Sequence, residues 1–336
     1  MRGPPPWGAR LAVVALSRGF AVSAASRQAA PLHIVFGAAA IPHPDKAAKG
    51  GEDAFFCCDR TGSFGVADGV GGSARNGVDP GLFSREMLRR CHGSIFDANG
   101  GKDGNNNEQQ QQEPLPRAVD AAATHGGSSL KLGGSSTLLV GRLTPNTNEL
   151  RILNLGDSGA LLLRPAVRRF WSSKSQNVLW PRIALRTTEQ THYFNCPYQV
   201  ASDDFVGVCE RMDESAAIVR DGDVLLAATD GVLDNLFDQS LQMAVARALP
   251  ALRDSAAGPA DVQKAVDELA LTIAREAHAV GLREDDGRIK TPFELTAAQE
   301  GYTFLGGKLD DVAVVVGVVR GGQDSPPPRW LHNFSQ

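Results

Sequence analysis

Apolar and polar residues alternate along most of the chain in short runs that are separated by turn residues. A period of two, or a short β-branched run, predicts strands at residues 32–36, 53–58, 62–66, 135–142, 149–155, 160–164, 223–228 and 312–319. Helical apolar spacing predicts helices at residues 80–91, 117–124, 236–249 and 260–280. Short strands in hairpin order with grouped helices indicate an α+β fold in which helices cover antiparallel sheets.

Three stretches depart from this pattern. Residues 99–116 are a low-complexity segment, and with so few apolar side chains we expect a disordered insertion there. Residues 166–182 are basic and predict a second insertion, which could select acidic partners or serve as scaffold. Residues 321–336 are rich in proline and predict a flexible tail. The main domain is therefore expected at residues 31–320.

Residues 1–30 have a composition of their own. Arginines are interleaved with Ala, Val, Leu and Ser, and no acidic residue precedes Asp45. This composition is typical of a mitochondrial transit peptide. A secretory signal or a disordered start is the alternative, although Arg18 interrupts the short apolar run at residues 11–16.

Composition narrows the class of protein. The chain has 336 residues, 42% of them hydrophobic, and a net charge of −4, which argues against nucleic acid as a partner. No segment outside the first thirty residues approaches the ~20 apolar residues of a membrane helix. Five cysteines in no CxxC spacing predict reduced thiols. They are Cys57, Cys58, Cys91, Cys196 and Cys209.

Carboxylates stand at the ends of strand-like apolar runs, and most are followed by glycine. The motifs are GEDAF at 51–55, DGVGG at 68–72, LGDSG at 155–159, ATDGVLD at 228–234 and KLDDV at 308–312. A single Asp-Gly pair most often marks a turn, and Glu52-Asp53 alone could be a solvated loop. Their recurrence predicts carboxylates converging on one cleft, where hard oxygen ligands select Mg²⁺ or Mn²⁺.

The segment Gly156-Asp157-Ser158-Gly159 also matches the nucleophile motif of trypsin-like proteases. A triad would place Ser158 beside a histidine that is held by a buried aspartate. The chain lacks an Ala-Ala-His-Cys segment, and Ala160-Leu161 follow where the protease pattern has Gly-Pro. A serine hydrolase is therefore the weaker alternative.

The order and spacing of the acidic motifs resemble the type 2C metal-dependent Ser/Thr protein phosphatases, from about residue 32 to residue 319. The resemblance implies an α-β-β-α sandwich of two antiparallel sheets with metal ions at one end. Further segments resemble the mitochondrial branch of that family. They are Gly77 to Pro80 with Phe83-Ser84, Gln190 to Gln199, Thr291 to Phe293, and Gly306 to Lys308.

The resemblance implies roles for individual residues. Asp68 would bridge two Mg²⁺ or Mn²⁺ ions, and the Gly69 carbonyl would bind the second. Asp230 and Asp310 would complete the ligands of the first ion, and Glu52 would act through a coordinated water.

Four further acidic residues match family positions. Asp157 and Asp234 match positions that hold a weaker third ion. Asp53 and Asp311 would orient waters. A metal-bound hydroxide would attack the phosphorus of phosphoserine or phosphothreonine in line with the leaving oxygen.

Two positions depart from the family. Val70 stands where many members have a general-acid histidine, a group that typically contributes 10²–10⁴-fold. Ala48 stands where many members have a phosphate-binding arginine, and Lys49 is the nearest candidate substitute.

The sequence thus predicts a phosphatase of mitochondrial phosphoproteins, located in the matrix. Val70 keeps open an alternative from another class, a pseudophosphatase that acts by binding.

Overall fold

The computed structural model describes residues 31–72, 78–98, 114–123, 133–144, 147–170, 176–201, 206–254, 257–321 and 329–334, with backbone alone at 169, 170 and 176–178. The strands are β1 (Leu32–Ile41), β2 (Asp53–Cys58), β3 (Ser63–Asp68), β4 (Ser135–Ser136), β5 (Leu138–Thr144), β6 (Glu149–Leu155), β7 (Gly159–Phe170), β8 (Gln176–Arg186), β9 (Thr191–Tyr193), β10 (Cys196–Pro197), β11 (Val200–Ala201), β12 (Asp213–Ile218), β13 (Val224–Ala228), β14 (Val312–Gly321) and β15 (Trp330–His332). The helices are α1 (Pro80–Ala98), α2 (Leu115–Ala122), α3 (Asp230–Leu233), α4 (Asp238–Leu252), α5 (Pro259–Gly281) and α6 (Pro292–Gln299). Two 3₁₀ helices cover Pro44–Lys49 and Val208–Arg211.

Two large antiparallel sheets form the centre of the described structure. One has six strands in the order β12-β6-β5-β3-β2-β15, and the other has five in the order β1-β14-β13-β7-β8. The predicted buried strand at 312–319 is confirmed as β14, which lies between β1 and β13. A strand buried on both faces needs apolar residues at every position, and the valine-rich run supplies them.

Strand periodicity explains the layers. In β13, Val224, Leu226 and Ala228 pack with the helices α4 and α5. The alternate residues Leu225 and Ala227 pack in the core between the two sheets, together with side chains of the six-stranded sheet. Successive side chains of a strand point to opposite faces, so one short apolar run serves both layers.

Helices α1 and α2 cover the outer face of the six-stranded sheet. Phe83, Met87 and Leu88 of α1 are fully buried in a cluster with Phe56 of β2 and Val140 of β5. Together with α4 and α5 on the opposite side, they complete four layers. The predicted α-β-β-α sandwich of antiparallel sheets is therefore confirmed.

Two stretches outside the predicted regular elements contain strands. Residues 166–182 mostly continue β7 and β8, which stay paired from Leu161↔Arg186 to Phe170↔Gln176. Part of the expected flexible tail forms β15, which pairs with β2 and is followed by the buried Asn333. Asn333 accepts a hydrogen bond from the Phe55 N–H and donates one to the Asp53 carbonyl, both at 2.9 Å. No strand pattern could be recognised for β15 in the sequence, because its three residues are too few to show a period.

The other boundaries fall partly outside the described residues. Residues 1–30 and 99–113 lie outside them, as does Gly77. The end of the predicted insertion at 99–116 belongs to α2, which begins at Leu115. All five cysteines are free thiols, with Cys57, Cys58 and Cys91 buried. Across the described part of the chain, no helix has the length and apolarity needed to cross a bilayer.

Candidate metal centre

Strand register brings the acidic motifs to one end of the sandwich. In the five-stranded sheet, Ala228 at the end of β13 pairs with Gly159 at the start of β7 and with Val314 near the start of β14. Asp230 follows β13, Asp157 precedes β7 and Asp310 precedes β14. Antiparallel pairing thus makes neighbours of three carboxylates that are far apart in sequence.

The six-stranded sheet contributes its carboxylates at the same end. Asp53 begins β2 and Asp68 ends β3, and the two residues are directly paired. Glu52 immediately precedes β2, and its carbonyl accepts a hydrogen bond from the Gly69 N–H at 3.2 Å. The hairpin therefore carries acidic residues on both of its strand ends.

Asp68, Asp157 and Asp230 come closest together. Each offers a carboxylate oxygen, and these oxygens lie within 4.8 Å of one another. Asp230 is buried, and Asp157 Oδ1 is buried without a hydrogen-bond partner. A buried carboxylate oxygen without a donor is costly, so this arrangement calls for a cation.

Hydrogen bonds between the two sheets fix the centre. Thr229 Oγ1 donates to Asp53 Oδ2 at 2.7 Å. Asp311 Oδ1 accepts from the His43 N–H at 2.7 Å, and its Oδ2 accepts from the Glu52 N–H at 3.1 Å. Asp53 and Asp311 are both buried, so these bonds clamp the ends of β2 and β14 to each other.

Two lysines enter the acidic cluster. Lys46 Nζ lies 2.6 Å from Glu52 Oε2 and 2.9 Å from Asp311 Oδ2. Lys308 Nζ lies 2.6 Å from Asp230 Oδ2 and 2.7 Å from Asp234 Oδ2. Burial alone would lower the pKa of both ammonium groups, but the hydrogen bonds and charges of these carboxylates raise it above its usual value. Both lysines therefore stay charged.

The carboxylates themselves resist ionisation when no metal is bound. Burial, followed by repulsion from Asp230, raises the pKa of Asp68 well above its usual range. The same two causes raise the pKa of Asp157 to about 8 and also raise the pKa of Asp310. A divalent cation would reverse this shift, because it favours the charged form of every carboxylate around it.

Two glycines are required by close backbone approach. A Cβ on Gly69 would lie 2.7 Å from the Pro80 carbonyl oxygen, and one on Gly231 would lie 1.9 Å from the Asp311 carbonyl oxygen. These contacts explain why glycine follows Asp68 and Asp230 in the two Asp-Gly motifs. The glycines let each aspartate sit where two chain segments meet.

Other predicted residues occupy different settings. Lys49 is exposed at the end of the 3₁₀ helix Pro44–Lys49, whereas Lys46 of the same helix reaches the cluster. Ser158 is fully buried, and its hydroxyl is hydrogen-bonded to Thr137 Oγ1 at 2.9 Å. A nucleophile must meet its substrate, so this serine does not fit a hydrolase triad. Val70 is half-buried and donates its N–H to the Ser135 carbonyl.

The segments that resemble the mitochondrial branch surround the centre. Ser84 Oγ donates to the Glu52 carbonyl at 2.6 Å, which ties α1 to the first acidic motif. Thr291 is the N-cap of α6, with its side chain accepting from the Glu294 N–H and donating to the Gly306 carbonyl. The hairpin of β9 and β10 lies beside a cleft of about 210 Å³. Lining this cleft are Asp157, Asp234, Tyr193, Phe194, Phe293 and Glu300.

Sequence reasoning gave no role at the centre to Lys46, Lys308, Thr229 or Asn235. Lys46 stands six positions before Glu52, and only the 3₁₀ helix turns it back. Lys308 belongs to the KLDDV motif, but its partner Asp234 is 74 positions away in sequence, so no local pattern indicates the contact. Of these four residues only Thr229 has a local sequence signal, since it directly precedes Asp230 and occupies the N-cap of α3.

The residues present fit a divalent cation of the hard type. Every candidate ligand offers oxygen, three carboxylates converge within 4.8 Å, and a buried oxygen of Asp157 lacks a donor. Oxygen-only donor sets favour Mg²⁺ and Mn²⁺ over softer metals.

Comparison with known proteins gives a consistent result. The chain matches no family profile. It is 34% identical over 288 residues to "Probable protein phosphatase 2C 80" of Arabidopsis thaliana, covering 86% of this chain and 59% of that protein. It is 30% identical over 283 residues to "Protein phosphatase PTC7 homolog" of Homo sapiens, covering 82% of this chain and 81% of that protein.

A solved structure supports the same assignment. The photosystem II phosphatase PBCP superposes with a TM-score of 0.64 at 26% identity, covering 85% of this chain and 98% of that one. A four-layer sandwich with carboxylates gathered at one end is the architecture that the sequence resemblance implied. The chain belongs to the protein phosphatase 2C family. It spans little more than half the length of the first curated relatives it matches.

Replacing Asp311 tests the clamp between the sheets. Asp311→Asn would point an amide N–H₂ at donors that now bind a carboxylate, namely two backbone N–H groups and Lys46 Nζ. We expect metal-free protein to lose about 2–4 kcal/mol of unfolding free energy in urea denaturation with EDTA.

The adjacent residue is the matched control. Asp310→Asn removes a carboxylate whose pKa is raised by burial and by Asp230, so in EDTA it should change stability by less than about 1 kcal/mol. Equal losses in the two variants would contradict the clamp.

Proposed function

We propose that this chain is a protein phosphatase that hydrolyses phosphoserine and phosphothreonine with the help of a dinuclear Mg²⁺ or Mn²⁺ centre. The observation that carries the proposal is the convergence of Asp68, Asp157 and Asp230 at one end of a protein phosphatase 2C sandwich. Charges placed this close in a buried setting are costly to stability, which is typical of a functional site.

Specific residues would hold the ions. Asp68 would bridge them, with the Gly69 carbonyl, Asp230 and Asp310 as further ligands and Glu52 acting through water. When bound, a pair of divalent ions lowers the pKa of water and offsets charge on the phosphoryl oxygens. Asp53 is held by Thr229 Oγ1, and Asp311 by two backbone N–H groups, so both are fixed to orient waters around the centre.

The cleft beside Asp157 and Asp234 supports a substrate role for this end of the sandwich. Its volume of about 210 Å³ and its aromatic wall, which includes Tyr193 and Phe293, can accommodate a peptide side chain next to the phosphorylated residue. Val70 cannot donate a proton to the leaving alkoxide. A water held at the centre would then supply that proton, or the chemical step is slower than in members that have the histidine.

Metal removal tests the activity. Residues 31–336 should hydrolyse a phosphothreonine peptide with Mn²⁺ and lose this activity in EDTA. Asp68→Ala and Asp230→Ala should each lower kcat/KM by a hundredfold or more, because metal stabilisation of a transition state is worth several kcal/mol.

Two controls accompany this assay. Ser158→Ala should retain metal-dependent turnover, which separates the phosphatase from the serine-hydrolase alternative. A folded protein that is silent under every condition would favour the pseudophosphatase alternative and contradict the proposed activity.

Lys46 and Lys49 compete for the role of phosphate-binding cation. Lys46 is the stronger candidate, since its ammonium contacts Glu52 and Asp311 while 32% of the side chain remains exposed toward solvent. Lys49 is exposed, on the same 3₁₀ helix, and it makes no ion pair with the acidic cluster among the described residues.

Substitution of each lysine separates the two. We expect Lys46→Met to raise KM for a phosphopeptide and Ki for inorganic phosphate by about tenfold or more, the value of one charged hydrogen bond. Lys46→Arg should restore much of the binding, and Lys49→Met should change neither constant. The reverse pattern would assign the phosphate to Lys49.

We also propose that the protein acts on phosphoproteins of the mitochondrial matrix. The support is the arginine-rich, acid-free composition of residues 1–30 and the branch-like segments around the centre.

A fusion experiment tests this location. A fluorescent protein that carries residues 1–30 should accumulate in mitochondria of cultured cells. The same fusion with Arg2, Arg10, Arg18 and Arg27 replaced by Gln should not, because import of such a segment depends on its positive charge. Accumulation in the secretory pathway would overturn the proposal.

A further inference from the structure

The ammonium group of Lys308 lies where several carboxylates would otherwise repel one another. Its Nζ is 2.6 Å from Asp230 Oδ2, 2.7 Å from Asp234 Oδ2 and 3.5 Å from Asp310 Oδ2. Only 16% of the side chain is exposed. Three carboxylates thus surround one buried cation, in the way that oxygen ligands surround a metal ion.

The position of Lys308 is fixed by the same turn that carries the carboxylates. Its backbone N–H donates to Asn235 Oδ1 at 2.9 Å, and its carbonyl accepts from Asn235 Nδ2 at 2.8 Å. Asn235 Nδ2 also donates to the Gly231 carbonyl at 2.9 Å. Because Asn235 directly follows Asp234, the lysine backbone and the α3 turn are held in one register.

The aromatic wall of the cleft completes the lysine's surroundings. Lys308 Nζ lies 5.1 Å from the centre of the Phe293 ring, a cation–π distance. Phe293 in turn packs against Phe194 and Phe304 at ring distances of 5.1 and 4.7 Å. A side chain with this many contacts does not swing out at low cost.

The two carboxylates that match a third metal position have different environments. Asp234 Oδ2 is bound to Lys308 Nζ, whereas Asp157 Oδ1 is buried without a hydrogen-bond partner. Asp157 instead shares a cluster with Asp68 and Asp230. The lysine therefore satisfies Asp234 and leaves Asp157 facing the main centre.

We propose that the Lys308 ammonium, which lies between Asp230 and Asp234, is a built-in cation that takes the place of the third divalent ion expected at Asp157 and Asp234. The centre then binds two ions, and Asp234 is not a metal ligand. This inference rests on the proposed metal-dependent function. A divalent ion at the same position would have to approach within a few ångströms of the ammonium, and at that distance two positive charges repel strongly.

Counting bound Mn²⁺ tests the inference without measuring turnover. Equilibrium dialysis with elemental analysis should give two ions per chain for the wild type and three for Lys308→Met. Adding Asp234→Asn to Lys308→Met should return the count to two. Lys264→Met is the matched control, because Lys264 is an exposed lysine paired with Glu268 on α5, and it should leave the count at two.

Three ions in the wild type, or two in a folded Lys308→Met variant, would overturn the inference. If Lys308→Met does not fold, Asp234→Asn in the wild-type background decides, since the inference requires an unchanged count of two and loss of an ion overturns it. Hydrolysis together with three bound ions would leave the proposed function intact. A wild type that binds no Mn²⁺ would remove both.

Discussion

Repulsion between buried carboxylates is the constraint on which this end of the molecule depends. Burial and mutual charge raise the pKa of Asp68, Asp157 and Asp310 together, so the metal-free centre opposes the ionisation of all three. Lys46 and Lys308 offset part of the charge. This repulsion lowers the stability of the metal-free fold, and it creates a site whose affinity for hard cations is set by the fold.

The sandwich can hold carboxylates that repel one another because they sit on backbone that has little freedom to move. Each acidic motif begins or ends a strand whose neighbours are paired in register, and the strands are buried on both faces. Bonds such as Thr229 to Asp53 then join the sheets directly. The site is therefore built from strand ends, which are held in place by the core between the sheets and by the two cores under the outer helices.

The parts of the fold and of the site that depend on local sequence patterns could be predicted. The valine run of β14 and the carboxylates at strand ends follow from period and turn chemistry, and the sandwich followed from the family resemblance. The positions of Lys46 and Lys308 could not be predicted, because a lysine's partner depends on tertiary folding and a long side chain has many directions. β12 was missed since its residues, from Asp213 to Ile218, form a largely exposed edge with few apolar positions. β15 was missed because proline-rich composition around it is typical of a loose segment.

The pairing of β1 with β14 has a consequence for how the chain reaches its native state. Leu32 pairs with Gly321 and Ile41 pairs with Val312, so the partners in this strand pair are 289 to 271 residues apart in sequence. Throughout synthesis the apolar edge of β1 has no native neighbour, and Ile34 and Phe36 have no finished core. Closing so long a loop is slow, and an unpaired apolar strand is prone to aggregate. The acidic centre, which needs the start of β14, therefore cannot be complete until that strand has been synthesised and paired.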